Sequence, residues 1–421
     1  MNTERIVIVD PYSSGKLLAP AFRERGFQCI ALHTADPAST ALGASLIAQD
    51  FEQHHLFEGA LQHCIASITA QGPVRCVLPG TESGVTLANE LAAAMGLAHN
   101  QPELAAARRH KYLMQETIAR AGLRAIRQAR VGSVAEAQDW AAAQGRWPVV
   151  VKPAASAGSD GVRLCADPEE LAAGVRAILE KRNFLGLAND EAILQEYVTG
   201  TEYVVDTVSC AGRHYTTNLC RYRKDVINGA FVYRRTYFLP ATGPAAEALI
   251  AYNDAVLDAL GITQGAAHSE IMLTEDGPVL IEVGARLHGG VSGPLIVERC
   301  ARHAPQALLA DSYVAPERFA QAAREVNAFS AKAVAYCFVN AKTGRVRGFP
   351  MDEAMKSLPS FFELKRTFGV GHHAVPTADL YSSPGWVVLV HEDEQQFLRD
   401  IAQVEHWEAE GALIDVADAT D

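Results

Sequence analysis

Hydrophobic positions in the first hundred residues fall into short continuous runs separated by amphipathic stretches. Residues 5–10 (RIVIVD), 27–32 and 74–79 (VRCVLP) read as strands buried on both faces. Segments 16–25 and 86–95 read as helices closed by Gly26 and Gly96. Continuous apolar strands alternating with helices predict a parallel sheet covered on both sides, so residues 1–100 are expected to form a small α/β domain. Farther on, 102–122 reads as a helix carrying Arg108, Arg109 and Lys111. Residues 131–145 read as a helix capped by Ser133, with Glu136 at the capping-box position. Strands are expected at 147–152, 192–197 and 202–210, with a helix at 168–181. Residues 213–239 continue as β-rich sequence, 245–260 as an amphipathic helix and 266–283 as a hairpin. Helices follow over 294–326, and the remainder has an α+β pattern.

Composition narrows the function classes. Lys and Arg total 37 against 49 Asp and Glu, a net charge of −12, which disfavours nucleic acid and anionic membrane surfaces as main partners. The eight cysteines form no C-x-x-C pair, which suits buried thiols in a reducing compartment. No run of about 18 apolar residues exists and the N-terminus enters a strand pattern directly, so a soluble cytoplasmic protein is expected.

The most informative stretch is 267–290, AHSEIMLTEDGPVLIEVGARLHGG. A three-residue loop, Glu275-Asp276-Gly277, has glycine where φ > 0 is wanted. Centring the turn on Asp276 places Glu270 directly opposite Glu282. Ile271, Leu273, Val279, Ile281 and Val283 then form an apolar face, while Met272, Leu280 and Arg286 share the other face with the two acids. Carboxylates opposed across a strand pair sit with Cβ atoms about 4.5–5.5 Å apart and repel. A hard divalent cation such as Mg2+, taking carboxylate and phosphate oxygens together, turns that repulsion into a site. Arg286 adds a planar donor fork suited to phosphate or carboxylate. The alternative is a solvated hairpin face.

Two further features accompany the hairpin. Lys152 ends the apolar strand WPVVVKP and is followed by Ala154–Gly161 (AASAGSDG), small residues whose amides can approach phosphate oxygens and whose loop can close as a lid. The Walker A pattern G-x-x-x-x-G-K-[ST] is absent. Residues 193–206 (ILQEYVTGTEYVVD) make a second hairpin around Gly200, offering Gln195 and the Glu196–Val198 backbone to a base edge and Glu202 to ribose hydroxyls.

In order and spacing these features resemble the ATP-grasp superfamily of carboxylate–amine ligases, over roughly residues 1–310. The motif PGTESG at 79–84, E-x-G-A-R-x-x-G-G at 282–290 and the C-terminal segment are most similar to the L-amino-acid ligases, which make dipeptides. The resemblance implies an α/β and α+β architecture. Residues 1–100 would be the N-terminal parallel domain and 101–325 the two-part ATP-grasp region, with 130–205 as the small lid. The α+β part at 326–421 would complete the large domain. Lys111 and Lys152 look like the nucleotide lysines, and Ser156, Gly158 and Ser159 like the phosphate loop. Gln195, Glu196, Tyr197 and Val198 look like the adenine hinge and Glu202 like the ribose acid. Glu270 and Glu282 look like the metal pair, with Arg286 as the catalytic arginine four residues beyond. For the amino-acid pocket, Glu82, Ser83, Lys224, His288, Gly289 and Gly290 are candidates by analogy. For Glu82 and Ser83 the alternative is Thr81 capping the next helix with its neighbours solvated. Arg221, Lys224, Arg234 and Arg235 are candidates for phosphate contact or for a solvated basic strand. One departure stands out: the family commonly has Asn two residues after the second acid, and this chain has Gly284.

The implied cofactors are ATP and Mg2+, with Mn2+ as a substitute, and the implied partners are small-molecule amino acids, with a homodimer among the states such ligases adopt. The expected reaction is amide formation between an L-amino-acid carboxylate and an amine through an acyl phosphate, releasing ADP and phosphate. Other acids or amines, an adenylating ligase releasing AMP, and a nucleotide-binding regulator without turnover remain alternatives.

Overall fold

The computed structural model describes residues 4–156, 159–182, 186, 188–289, 292–380 and 382–417. Gly158 and Gly290, two of the predicted site residues, lie outside them. The chain divides into two compact units. One is built from Met1–Ile126, Val204–Leu219 and Pro240–Ala328, the other from Arg127–Tyr203, Cys220–Leu239 and Phe329–Asp421.

The first unit contains the expected parallel sheet, ordered Gln53–Leu56, Gln28–His33, Arg5–Val9, Val74–Pro79. Ile6 to Val9 are fully buried because alternate residues face different cores. Val7 and Val9 pack with Leu87 and Leu91 of the helix Val85–Ala94. Ile6 and Ile8 share a second core with Leu308 and Leu309 of the helix Pro305–Val314, across which Arg25 pairs with Asp311 at 2.6 Å. The α/β domain expected to end at residue 100 therefore shares a core with segments two hundred residues away. Within this unit the hairpin Gly265–Thr274/Gly277–Gly284 is flanked by residues 204–210 and backed by the helix Pro244–Ala259.

In the second unit, Ala230–Leu239, Arg163–Cys165, Val149–Pro153, Ala192–Glu196 and Gln128–Val131 lie in that order in an antiparallel sheet. The helix Val134–Gln144 begins at Ser133, whose hydroxyl accepts from Glu136 N, and ends at Gly145 with φ +62°, as its sequence predicts. The C-terminal segment departs from expectation. Lys332–Cys337 pairs with Ala230–Leu239 and with Gly385–His391, so residues 329–421 belong to the unit that holds the 127–203 segment. The reason lies in strand 230–239, where Arg235 stands opposite Tyr336 and stacks on its ring at 4.3 Å. The arginines read as phosphate ligands or a solvated face are used here. Arg234 pairs with Glu408 and Arg235 with Glu405, fastening the helix Glu394–Ala409, while Arg221 lies over Tyr237.

Candidate active site

The acid hairpin of the first unit has the predicted pairing by a different route. Thr274 pairs with Gly277 across a two-residue turn, and Gly277 has φ +100°. A bulge between Glu270 and Ile271 then shifts the register by one, leaving Ile281 as the extra residue and restoring Glu270 opposite Glu282. Below the bulge the faces differ from the simple alternation. Leu280 pairs with Ile271 and is fully buried, and Met272 pairs with Val279. Arg124 holds the turn through Thr274 Oγ1 (2.6 Å) and the Gly277 carbonyl (2.7 Å).

Each acid has a basic neighbour. Lys111, nearly buried at the start of the helix Lys111–Arg120, pairs with Glu282. That helix is fixed to the hairpin by Gln115, whose amide donates to the Leu280 carbonyl at 2.8 Å. Glu270 has Nε2 of His268 3.8 Å from its Oε1. Two opposed carboxylates with basic groups drawn to them form a donor set that fits a hard divalent cation.

Beside the hairpin, Glu82 joins two arginines. Its carboxylate takes Arg109 at Oε1, and Oε2 lies 2.9 Å from Arg286 Nε. Burial alone would raise this carboxyl. The charges of Arg109 and Arg286 overcome that and hold it below the ordinary glutamate range. Gly284 now has a physical explanation: a Cβ there would lie 2.7 Å from Glu82 Oε2 and 3.1 Å from Arg286 Cζ. The place an asparagine would fill is taken by the Glu82–Arg286 pair. Ser83 donates to the buried Asp10 carboxylate, and Thr81 bonds the Asp10 carbonyl rather than capping the following helix.

Sequence reasoning missed a third cluster. Asp206, buried on the strand Thr201–Cys210, accepts from His268 Nδ1 at 2.7 Å and, on its other oxygen, from His288 Nδ1 at 2.9 Å and Asn218 Nδ2 at 2.9 Å. An ionised carboxylate only accepts, so both Nδ1 atoms carry hydrogen. The two rings lie 4.3 Å apart. Burial works against charge on His268. Asp206, with help from Glu270, more than offsets it and pushes its pKa up to about 9. His288 goes down, because burial outweighs Asp206. Burial likewise opposes the Asp206 charge, but the two histidines hold that carboxyl well below its ordinary range. The available signal was the spacing of His268, two positions before Glu270 and hence on one side of its strand.

In the second unit Lys152 is buried at the end of Val149–Pro153, opposite Ile193. Ser156 donates to Asp160 at 2.7 Å inside the small-residue loop, and Ser159 adopts φ +63°. Gln195 bonds Gln128, while the Glu196 carboxylate takes Arg127 through two guanidinium nitrogens. Tyr197 and Val198 follow the strand end, half-buried. Glu202 pairs with Lys224 at 2.6 Å, and that ammonium lies over the rings of Tyr222 and Tyr233. Lys224, expected beside the amino-acid substrate, therefore stands with the expected ribose acid. Gly289 ends the described part of the arm that follows Arg286.

Known proteins resemble this chain in sequence and fold. The model of the ATP-grasp domain family matches residues 145–294. Dapdiamide A synthase of Enterobacter agglomerans is 35% identical over 419 residues, covering 97% of each chain. The L-arginine-specific L-amino acid ligase of Bacillus subtilis is 24% identical over 238 residues, 55% of each. The crystal structure of an L-amino acid ligase from Bacillus licheniformis shares the fold, with TM-score 0.77 at 17% identity over 99% of this chain and 100% of that one. The chain belongs to the ATP-grasp family and is an enzyme of its ATP-dependent carboxylate–amine ligase class.

Proposed function

We propose that this ligase joins the carboxylate of an L-amino acid to an amine, a second amino acid in the simplest case, through an acyl phosphate. The observation that carries the reading is the Glu270–Glu282 pair with Lys111 on one acid and the Glu82-held Arg286 four residues beyond. A carboxylate is a poor acyl donor because oxide is its leaving group. Its oxygen attacks the γ-phosphorus of ATP, giving the acyl phosphate and ADP. The amine then attacks the carbonyl carbon, phosphate leaves and the amine gives up a proton.

The second unit supplies the nucleotide grip. Gln195 and the Glu196–Val198 backbone would take the adenine edge and Glu202, steadied by Lys224, the ribose. Lys152 and the Ser156–Ser159 loop, with Gly158 as its glycine, would take phosphates. The first unit supplies the charge chemistry. Glu270 and Glu282 would hold Mg2+, with Mn2+ as substitute, and Mg2+ when bound neutralises phosphoryl oxygens. Lys111, freed from Glu282, spreads the remaining negative charge. Arg286 orients the reacting carboxylate and stabilises the oxyanion that follows. Its guanidinium is preorganised by Glu82. Ser83, His288, Gly289 and Gly290 would contact the amino acid.

A cytoplasmic location fits the acidic chain, and among the described residues no helix is long and apolar enough to cross a membrane. Assembly as a homodimer is part of the same reading, checked by light scattering.

The test is ADP and phosphate release with Mg·ATP across a matrix of paired L-amino acids, with products identified by mass spectrometry. Pair-dependent ADP release with the matching dipeptide is expected. ADP release without any dipeptide would redirect the search to other acids and amines, and absence of turnover in every pairing would contradict the reading.

A further inference from the structure

Asp206 has no place in the proposed chemistry, yet it is the hub of the histidine cluster. Its strand, residues 201–210, lies beside Gly265–Thr274 in the sheet, and its carboxylate reaches two separate parts of the acid hairpin. One oxygen holds His268, two residues before Glu270. The other holds His288, two residues after Arg286. Asn218 adds a third donor. A buried carboxylate is expensive unless every lone pair has work, and here each oxygen is engaged. The His288 ring is held from outside as well. A Cβ on Gly293 would lie 3.3 Å from the His288 ring, so the following helix closes directly over it. With Nδ1 on Asp206, His268 can turn only its Nε2 edge to Glu270, whose Oε1 is 3.8 Å away.

We propose that Asp206 is a positioning residue for this ligase: through His268 it fixes the orientation of Glu270, and through His288 it fixes the arm that carries Arg286. The inference rests on the reading of Glu270 as a metal-binding acid. Partners that orient ligating groups are worth about 10–100-fold in metal affinity, which sets the size of the expected effect.

The experiment titrates the full-length chain, with ADP present, with Mn2+ and follows the free-ion EPR signal. Asp206→Asn should weaken Mn2+ binding by about tenfold or more, and His268→Gln should do the same if Asp206→Asn folds poorly. Val9→Ala, which loosens the parallel sheet, should lower the melting temperature and leave Mn2+ affinity unchanged. A folded Asp206→Asn or His268→Gln chain with wild-type Mn2+ affinity would overturn the proposal. Glu270→Gln separates the two levels. If it abolishes Mn2+ binding while the Asp206 and His268 variants keep wild-type affinity, the positioning role alone fails. If it leaves binding intact, the metal reading fails first and the proposal falls with it. Elemental analysis adds one more overturning outcome. The ligand atoms of Asp206, His268 and His288 lie within 4.8 Å of one another, so stoichiometric zinc or iron lost in Asp206→Asn would make the cluster itself a metal site.

Discussion

The two units hold their candidate residues by different physics. In the first, nearly every one is a charge held by an opposite charge: Glu282 by Lys111, Glu82 by Arg109 and Arg286, Asp206 by His268. In the second, the candidates are a strand-end lysine, a hinge of backbone groups and a small-residue loop, with Glu196–Arg127 and Glu202–Lys224 as the charged exceptions. Charges preorganised in this way suit a site where charge develops during reaction, and backbone and small residues suit a site that grips a ligand of fixed shape. Damage to the first unit should therefore show in turnover, and damage to the second in nucleotide KM.

The largest effect is expected from Glu282→Gln. It should lower ADP release at least about 1,000-fold, about 4 kcal/mol, with the nucleotide-free fold retained by circular dichroism. Gln195→Ala should instead raise the KM for ATP with kcat little changed, and the reverse pattern would break the comparison. Next is Glu82→Gln, which removes the charge shared by two part-buried guanidinium groups and should cost about 1–3 kcal/mol in urea unfolding. Its pH dependence has a definite sign. The folded Glu82 carboxyl lies below its unfolded value, so its contribution is fully present above the ordinary glutamate range and is lost as pH falls through the folded value. Wild type should thus lose stability on acidification more steeply than Glu82→Gln.

Gly284→Asn restores the family's commoner residue and should nevertheless reduce activity, because its Cβ meets Glu82 and Arg286. A gain in turnover or in Mg2+ affinity would show that the space is available after all. The smallest effect is that of Lys224→Met, which removes the partner of Glu202 and should raise the KM for ATP about tenfold, about 1.4 kcal/mol. A change confined to the amino-acid KM would return Lys224 to the substrate side.

Much of this was legible in the sequence where the information is local. Ser133 and Gly145 bound their helix as written, and the continuous apolar runs became the parallel sheet. Glu270 met Glu282 although the turn has two residues rather than three, because the bulge at Ile281 compensates the shift. Simple alternation could not anticipate that bulge, so Leu280 was placed on the wrong face. Contacts between distant segments were less legible. Nothing near Arg234 and Arg235 signals Glu408 and Glu405, some 170 residues away, and the placement of residues 329–421 follows from that pairing. Gly284 looked like a missing ligand until Glu82, from a different part of the chain, was seen to occupy its space. Asp206 was invisible for the same reason: a lone Asp inside a strand carries no mark of the two histidines it holds.

The central claim, amide formation through an acyl phosphate, is tested most directly by following oxygen. An amino acid labelled with 18O in its carboxylate is turned over with Mg·ATP and the amine that gives product. The account predicts one labelled oxygen in the inorganic phosphate released per amide formed, with ADP as the nucleotide product. Label recovered in AMP, or phosphate free of label, would contradict it.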